Sequence, residues 1–398
     1  MNFREASSRL GIEKYPEKLD AFAKSETNFS EQPWDTEQIR FLQETEDLFG
    51  KYYDLVFQAA LDLTKDPIRM LWAQVVSAYI ARASCTEALA IPVPESDGSV
   101  LGDMLPLLVM LPSVPNMKKM QVDRKIDPEM TRRYMGTFRG CMGIVETKVG
   151  RPGLNKTYFN WTMLYLKGMI FTLGGFNFEL KQLPESVMFL KNKKSGTIIP
   201  LMRKGVFHAS GMVLGAAGFL EEEGSFAADF EETEDGYYGH EARDGFVLPE
   251  RKSYLKKDWE CVVWPGCCVL SMHIPRKTDI SGEAFDRAVA MAVEFASRYY
   301  AEYHPVCLYC SSWLLDPTLA EVVGNEAKIT KFGEKFIRYP NKSAGKEVFS
   351  FVFPPRIQNL NDLPENTRLE RGLKKRYLEG GFVHGFAGIR LFDPPSVS

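Results

Sequence analysis

The N-terminal third of the chain has the apolar spacing of α-helices. Between residues 34 and 84, apolar side chains recur at intervals of three and four, so each helix would present one apolar face. Asp66 followed by Pro67 indicates a helix start, because aspartate accepts a hydrogen bond from a free backbone N–H and proline loses none there. The proline-rich stretch 91–115 is expected to be a loop or irregular connection that can hold a short strand.

A second helix start of the same kind suggests where the helical part ends. Asp127-Pro128 repeats the capping signal, and residues 155–171 continue the helical pattern. We place a domain boundary close to this signal. The prediction is a mainly helical N-terminal domain over residues 1–133 and an α/β C-terminal domain over residues 134–393, which includes a C-terminal strand and helix extension.

From Gly174 onward the apolar period changes from the helical value to two. Residues 176–180 alternate between apolar and polar side chains, as a half-buried strand does. Residues 187–191 and 197–201 flank a polar turn at 192–196, which is typical of a β-hairpin. The chain as a whole is therefore predicted to be α+β.

The most informative segment is a strand, helix, strand unit. Its first strand covers residues 267–275, its helix residues 282–303 and its second strand residues 310–317. Ligands of open α/β sheets gather beyond the carboxyl ends of the strands. His273 and the group 311–313 lie at those ends, so we look for function there.

The C-terminal fifty residues hold three further segments. The apolar run 348–353 is predicted to be a strand. Residues 363–371 lead into a helix, and the glycine-punctuated segment 380–391 ends the ordered part of the chain.

Composition and charge narrow the function classes. The 398 residues are 45% hydrophobic and 25% charged, which is typical of a globular protein with two or three domains. With a net charge of −3 and no long basic run, a nucleic-acid partner is not expected. The N-terminus has no signal-peptide pattern, and no run approaches the roughly 18 apolar residues of a membrane span. Seven cysteines, an odd number, indicate reduced thiols. We expect a cytoplasmic protein without a membrane partner.

Motifs for metal or nucleotide chemistry are missing from the sequence. The five histidines lack paired helical spacing, and Cys307 and Cys310 form a single Cys-x-x-Cys without the second pair of a structural zinc site. On a strand, these two thiols would point to opposite faces. Neither the phosphate-binding loop of nucleotide hydrolases nor the Gly-x-Gly-x-x-Gly of dinucleotide enzymes occurs. No metal is therefore expected.

A serine hydrolase is one alternative that the sequence leaves open. Ser311 or Ser312, His273 and Asp316 are the three residue types of a catalytic triad. The Gly-x-Ser-x-Gly turn that usually presents the nucleophile is absent. Only the hydrogen bonds among these side chains can decide whether a triad exists.

Five stretches, in this order, carry a family resemblance: residues 171–179, Trp259 with Trp264-Pro265-Gly266, His273-Ile274-Pro275, residues 312–317, and Leu363-Pro364 with Thr367, Leu369 and Arg371. Together they resemble a bacterial acyltransferase family that joins an N-terminal acyltransferase-associated domain to a C-terminal domain of the GNAT type. The resemblance covers about 240 residues.

The resemblance implies a GNAT-like mixed sheet with flanking helices that binds acyl-CoA or acetyl-CoA as co-substrate. The CoA pyrophosphate would lie on residues 275–282. The residues implied for this co-substrate are Ile274, Arg276, Lys277, Ser281, Gly282 and Trp313. The usual Arg/Gln-x-x-Gly-x-Gly/Ala pattern is absent from residues 276–282, and residues 324–327 replace an expected Ser-Asn-Ile string.

Acyl transfer by such a domain requires a base, donors to an oxyanion and an acid for the leaving thiolate. The expected base is Glu179 or His273, directly or through a water, and backbone amides near His273 are the expected oxyanion donors. Tyr309 or Ser312 is the candidate acid. The leading prediction is an N-acyltransferase-like enzyme acting on a small-molecule acceptor. The missing glycine pattern supports the alternative of a non-catalytic binding or sensing protein. Acceptor, acyl-chain length and oligomeric state are not determined by the sequence.

Overall fold

The structure, a computed structural model, describes residues 1–25, 35–184, 186–354 and 359–392. Its backbone contacts form two compact units, Met1–Phe171 and Thr172–Ser398. The division lies after Phe171, whereas the sequence analysis placed a boundary after residue 133. The two differ because Asp127 and Pro128 begin a long helix that packs into the core of the first unit, so the capping signal marks a helix start and not a linker.

The first unit consists of helices around one apolar core. Within the described residues its α-helices are α1 (Phe3–Arg9), α2 (Glu17–Ser25), α3 (Thr36–Glu46), α4 (Tyr53–Leu63), α5 (Pro67–Arg82), α6 (Cys85–Leu89), α7 (Val100–Leu108), α8 (Val114–Asp123), α9 (Pro128–Val149) and α10 (Lys156–Leu166). Asp66 caps α5, because its carboxylate accepts hydrogen bonds from the backbone N–H groups of Ile68 and Arg69 at 3.0 and 2.9 Å. The helical character predicted for this part of the chain is confirmed.

The proline-rich stretch 91–115 contains more helix than the sequence analysis predicted. Helix α7 lies inside it, starts at the N-cap Ser99 and contains Pro106. The Ser99 hydroxyl accepts a hydrogen bond from the backbone N–H of Gly102 at 2.9 Å. Most side chains of α7 are buried, and this apolar burial outweighs the hydrogen bond that an internal proline removes.

The continuous helical stretch Val100–Asp123 is long and apolar enough to cross a bilayer by length and composition alone. An 18-residue window within it has a mean hydropathy of 1.4, and 67% of that window is buried inside the protein, as in a core helix. The sequence analysis had found no run of this length, because Pro106 and the polar residues of α8 interrupt the apolar pattern.

Two lysines, one at each end of α10, cap the ends of other helices in the first unit. The Lys156 ammonium donates hydrogen bonds to the backbone carbonyls of Leu89, at 2.8 Å, and Ile91. Lys167, just after α10, donates to the carbonyls of Ala83, at 2.6 Å, and Ile80. Helix C-termini leave carbonyl groups without partners, so these cations satisfy them and offset the helix dipole. Burial lowers the pKa of Lys156 to about 8.

The lowered pKa of Lys156 predicts a pH dependence of stability. In the unfolded chain this lysine has a pKa of 10.5, so between about pH 8 and 10.5 the unfolded state holds a proton that the folded state has released. The free energy of unfolding should therefore rise with pH in this window. Relative to Lys156→Met, which cannot titrate, the melting temperature of the wild type should increase from pH 8 to 10.5. A constant difference between the two proteins would contradict the prediction.

The second unit combines strands with five helices in the described residues. Its strands are β1 (Ile170–Leu173, which begins in the first unit), β2 (Phe176–Gln182), β3 (Val187–Asn192), β4 (Ile198–Met202), β5 (Gly205–Phe207), β6 (Phe226–Ala228), β7 (Phe230–Glu232), β8 (Gly236–Arg243), β9 (Phe246–Leu255), β10 (Trp259–Val263), β11 (Cys268–His273), β12 (Cys307–Ser312), β13 (Ile337–Pro340) and β14 (Phe386–Leu391). Its helices are α11 (Gly282–Tyr299), α12 (Leu319–Val323), α13 (Lys328–Gly333), α14 (Phe349–Val352) and α15 (Arg368–Leu378).

The strands form two larger sheets and one small one. The first sheet has the order β1-β2-β11-β12-β14-β13 and is mixed, because β11 and β12 are parallel while β2, β14 and β13 pair antiparallel with their neighbours. The second has the order β10-β3-β4-β8-β7, with β9 paired to β8, and β5 pairs with β6. The predicted hairpin is β3 and β4, and the predicted strand, helix, strand unit is β11, α11 and β12. The predicted α+β fold with a mixed sheet and flanking helices is confirmed.

The two faces of the first sheet are covered differently. One face, here called the inner face, contributes Val269, Cys307, Tyr309, Ala387 and Ile389 to a buried core shared with residues of the second sheet. The opposite face carries aromatic side chains that pack on α11, where the Phe176 and Phe285 rings are 6.3 Å apart. Alternation along each strand therefore decides which core a residue joins.

One strand prediction near the C-terminus is wrong. Residues 348–353 contain the short helix α14 and no strand. The Phe349 and Phe353 rings lie 5.3 Å apart, at the i, i+4 spacing of a helix, and Phe349 also contacts Tyr377 of α15. A short apolar run does not distinguish a strand from a buried helical turn by its pattern alone. The predicted helix after residues 363–371 is α15, capped by Thr367.

Candidate functional site

The inner face of the first sheet carries a hydrogen-bonded carboxylate and imidazole. Glu179 of β2 lies opposite Ser271 of β11, and His273 lies two residues further along β11, opposite Asn177. His273 Nε2 is 2.8 Å from Glu179 Oε2. The two side chains thus meet diagonally across neighbouring strands, as the register of an antiparallel pair allows. The sequence analysis named both residues but not the bond between them.

The chemistry of this pair follows from its charges. Only 13% of the Glu179 side chain and 34% of the His273 side chain are exposed, so water screens the bond incompletely. An ionised carboxylate can only accept hydrogen bonds. Nε2 therefore carries the proton of the shared bond, and Nδ1 keeps the lone pair that can accept a proton from another molecule. Glu179 orients the ring and stabilises its positively charged form.

Two further side chains of the inner face, those of Tyr309 and Lys181, lie near Ser271. Ser271 is 2% exposed, and on its other side it lies beside Tyr309 of β12 in the parallel register. Lys181, two residues after Glu179 and on the same face, places its ammonium 4.0 Å from Glu179 Oε2 and 5.4 Å from the centre of the Tyr309 ring. The small side chain of Ser271 leaves room for the lysine to reach across β11.

Ser312 lies away from this group. Strand alternation puts Tyr309 and Ser311 on the inner face and Ser312 on the opposite face. The Ser312 hydroxyl accepts a hydrogen bond from the backbone N–H of Leu314 at 3.2 Å and so caps a short 3-10 helix. Of the two residues predicted as the acid, Ser312 therefore lies on the face opposite His273, whereas Tyr309 shares a face with the histidine.

The side chains of the hydrolase alternative make hydrogen bonds with other groups. Asp316 accepts bonds from the backbone N–H groups of Thr318 and His384, at 2.8 and 2.7 Å. Ser311 accepts one from the Asn341 amide at 3.2 Å, and His273 is bonded to Glu179. The aspartate holds a chain turn instead of orienting a catalytic histidine. This arrangement does not support a serine hydrolase.

The loop that follows β11 leads into the N-terminus of α11. Arg276 and Lys277 are exposed, and among the described residues neither forms an ion pair. Lys277 has a φ of +66°, a left-handed conformation that glycine adopts more easily. The loop thus reaches a glycine-like geometry although its sequence lacks the glycine pattern. Ser281 is the N-cap residue, and its hydroxyl donates to Asp279 at 3.0 Å.

The remaining residues implied for CoA differ in accessibility. Gly282, the first residue of α11, is exposed, and Ile274 is half-buried. Trp313 is 7% exposed, and its ring centre lies 6.5 Å from that of Phe351. The tryptophan therefore belongs to the core around the 3-10 helix, while the loop residues face outward.

The Cys-x-x-Cys motif consists of buried thiols. Cys307 lies on the inner face and Cys310 on the opposite face, and burial raises the pKa of Cys310 to about 12. A thiol that keeps its proton at neutral pH is a poor nucleophile and a poor metal ligand. Within the residues that the structure describes, no cluster of three His, Cys, Asp or Glu side chains could hold a metal ion.

The sequence analysis missed Lys181 and Ser271 as site residues. The signal that could have found them is the period of two, because Lys181 follows Glu179 by two positions and Ser271 precedes His273 by two. The period does not reveal the register between the strands. That register brings Lys181 close to Tyr309.

Comparison with known proteins identifies the family. Residues 170–390 match the model of the GNAT-like C-terminal domain. None of the curated proteins has a matching sequence.

Several solved structures share the fold over nearly the full length. An acyltransferase in complex with decanoyl-CoA and teicoplanin is 18% identical, with a TM-score of 0.65, and the alignment covers 99% of this chain and 100% of that one. An acyltransferase with CoA and 10C-teicoplanin has 17% identity, a TM-score of 0.63 and the same coverage. A mutant acyltransferase with octanoyl-CoA has 17% identity and a TM-score of 0.62, again covering 99% and 100% of the two chains.

Proposed function

This chain belongs to the GNAT-like C-terminal domain family, and from that premise we propose that it is an acyl-CoA-dependent N-acyltransferase. The observation that carries the proposal is the 2.8 Å bond between His273 Nε2 and Glu179 Oε2 at the end of the central strand β11. A histidine held in this way is suited to take a proton from an amine.

The reaction proceeds by proton removal and thioester cleavage. The acceptor nitrogen attacks the thioester carbon while His273 Nδ1 takes its proton, and a tetrahedral oxyanion forms. Collapse of this intermediate breaks the C–S bond and leaves an amide. The CoA thiolate receives a proton from the Tyr309 hydroxyl, and the imidazolium gives its proton to the tyrosine in return. Glu179 is a positioning residue that stabilises the imidazolium, and Tyr309 is the candidate donor near the leaving group.

The loop after β11 is the proposed site of the CoA pyrophosphate. Arg276 and Lys277 are exposed cations, and the first N–H groups of α11 attract an anion at Gly282. Ile274 would contact the pantetheine arm. The Ser281 hydroxyl already donates a hydrogen bond to Asp279. Ser281 would therefore act mainly as the N-cap residue of α11, next to the bound pyrophosphate.

We propose a medium-chain acyl donor in preference to acetyl-CoA, and a small-molecule amine acceptor. The support is that the structurally similar acyltransferases are complexes with decanoyl-CoA, octanoyl-CoA and, in two cases, a teicoplanin. A cytoplasmic location is also proposed, supported by the seven described cysteines, none of which forms a disulfide.

Binding of the donor is the first test. Decanoyl-CoA and octanoyl-CoA should raise the melting temperature more than acetyl-CoA does, since ligand at 100 times its dissociation constant stabilises the folded state by about 2.7 kcal/mol. Addition of an amine should then release free CoA thiol. Binding without any thiol release would favour a sensing protein, and no shift with any CoA species would refute the proposal.

Charge reversal in the loop should weaken that binding. Because two cations beside a pyrophosphate become anions, Arg276→Glu with Lys277→Glu should raise the dissociation constant of decanoyl-CoA roughly ten- to a hundredfold. The matched control, Lys194→Glu with Lys257→Glu, makes the same change of net charge at exposed positions outside this loop. Equal dissociation constants for the two double variants, measured by calorimetry, would show that the loop does not hold the pyrophosphate.

A further inference from the structure

The Lys181 ammonium occupies an unusual position for a lysine of this protein. It lies 4.0 Å from Glu179 Oε2 and 5.4 Å from the Tyr309 ring centre, over the small residue Ser271. Its side chain is 30% exposed, so it is neither fully hydrated nor sealed in the core. This is the part of the inner face where the histidine and the carboxylate meet.

The hydrogen-bonding groups of this ammonium are unused in the described part of the chain. Lys181 reaches Glu179 as an ion pair only, at a distance beyond a hydrogen bond, and no described residue accepts a hydrogen bond from it. Two other partly buried lysines of the second unit do make hydrogen bonds. Lys335 donates to Asp286 at 2.9 Å, and Lys252 is hydrogen-bonded to Glu241. Lys181 therefore keeps three N–H donors for a ligand.

The geometry relates these donors to the proposed base. Because the lysine and the histidine both approach Glu179 Oε2, at 4.0 and 2.8 Å, Nζ and Nε2 are within about 7 Å of one another. A reacting carbonyl between the ammonium and the Nδ1 side of the imidazole could have its oxygen near Lys181 while the attacking nitrogen faces Nδ1. The adjacent Tyr309 ring keeps the cation in place through its π face.

We propose that Lys181 is a catalytic residue that donates a hydrogen bond to the carbonyl oxygen of the acyl group as it becomes an oxyanion. The inference rests on the proposed acyltransferase function. In the step itself the acceptor nitrogen bonds to the carbonyl carbon, the carbonyl π electrons move to oxygen, and His273 takes the amine proton. Lys181 stays protonated throughout and stabilises the negative oxygen until the C–S bond breaks.

A role in the transition state has a distinctive kinetic signature. A donor that acts on the oxyanion contributes to kcat and little to the binding of acyl-CoA, and loss of one such donor lowers kcat by about 10²–10³-fold. A lysine that only neutralises Glu179 would instead matter for stability of the fold and for the bond between the carboxylate and His273. The two roles can be separated by measuring kcat, the dissociation constant and the melting temperature together.

The test compares Lys181→Met, Lys181→Arg and a control, Lys191→Met, which removes a half-buried lysine from β3. Release of CoA thiol from decanoyl-CoA is followed with hydroxylamine as the amine. We expect Lys181→Met to lose about 10²–10³-fold in kcat with its decanoyl-CoA affinity within threefold of wild type. The kcat of Lys181→Arg should be at least tenfold higher than that of Lys181→Met. The kcat of the control should equal that of the wild type.

Two results would overturn the inference while leaving the proposed function intact. One is a Lys181→Met enzyme whose kcat stays within threefold of wild type. The other is a loss of kcat accompanied by equal losses in affinity and melting temperature that Lys181→Arg does not restore, which is the signature of a structural lysine. Failure of the proposed function gives a different result, because the wild type itself would then neither bind decanoyl-CoA nor release thiol. That result would refute the inference about Lys181 as well.

Discussion

Acyl transfer by the His273→Ala variant is expected to be roughly a hundred to ten thousand times slower than by the wild type, which is the usual contribution of a general base. The reason is the bond between His273 and Glu179, which fixes the imidazole with its proton on Nε2 and its basic nitrogen at Nδ1. Glu179→Gln should also lower kcat, because an amide cannot stabilise the imidazolium as a carboxylate does. The two losses should combine to less than their product, since both act through one ring.

A matched variant makes this prediction specific. Ser312→Ala removes a hydroxyl from the end of the neighbouring strand β12, but that hydroxyl caps a 3-10 helix on the opposite face of the sheet. Its kcat should stay within about threefold of wild type, and its stability should fall by the value of a lost cap, about 1 kcal/mol. Steady-state kinetics of thiol release would separate the variants. If His273→Ala retained wild-type kcat with the fold intact, the base would lie elsewhere.

The Gly174→Ala variant should lose about 2–5 kcal/mol of stability in the second unit. Gly174 lies in the turn between β1 and β2 with a φ of +57°, a conformation that strains a residue with a side chain. A Cβ added there would lie 2.6 Å from the Cβ of Ala288 and 3.0 Å from its Cα, so the turn or α11 would have to move. Close approach and backbone strain therefore act together at this position.

Gly196 separates these two causes. It lies in the turn between β3 and β4 with a φ of +73°, and a Cβ there would meet no atom within 4 Å. Gly196→Ala should therefore cost only the backbone strain, about 1–2 kcal/mol. Urea denaturation of both variants would measure the difference. Equal losses of stability in Gly174→Ala and Gly196→Ala would mean that the protein avoids the contact with Ala288 without a cost in free energy.

Much of the fold could be predicted where local sequence and burial agree. Asp66 and Pro67 begin α5 because capping is a local interaction, and β2 lies where apolar and polar residues alternate. The strands β3, β4, β11 and β12 are short, largely apolar runs at the positions predicted for strands. Prediction failed where a long-range contact decides. Residues 348–353 form the helical turn α14 because Phe349 packs on Phe353 and Tyr377, and no local pattern reveals that packing.

The candidate site was predicted only in part, for the same reason. His273 and Glu179 could be named from strand ends and from the resemblance to acyltransferases, but their bond depends on the register between β2 and β11. Strand alternation puts Ser312 on the face opposite Tyr309. The pairing of β2 with β11 and of β11 with β12 brings Lys181 to Tyr309, 128 positions apart in the sequence numbering. A period of two assigns residues to one of two faces, and only strand pairing decides which neighbours meet.

A crystal structure of the protein with decanoyl-CoA would test the central claim most directly. The account predicts the pyrophosphate against residues 276–282 and the thioester carbon within about 6 Å of the His273 imidazole, which leaves room for one amine nitrogen between them. The carbonyl oxygen should face Lys181. Decanoyl-CoA bound with its thioester far from His273 and Glu179, on the opposite face of the sheet or outside the second unit, would contradict the account.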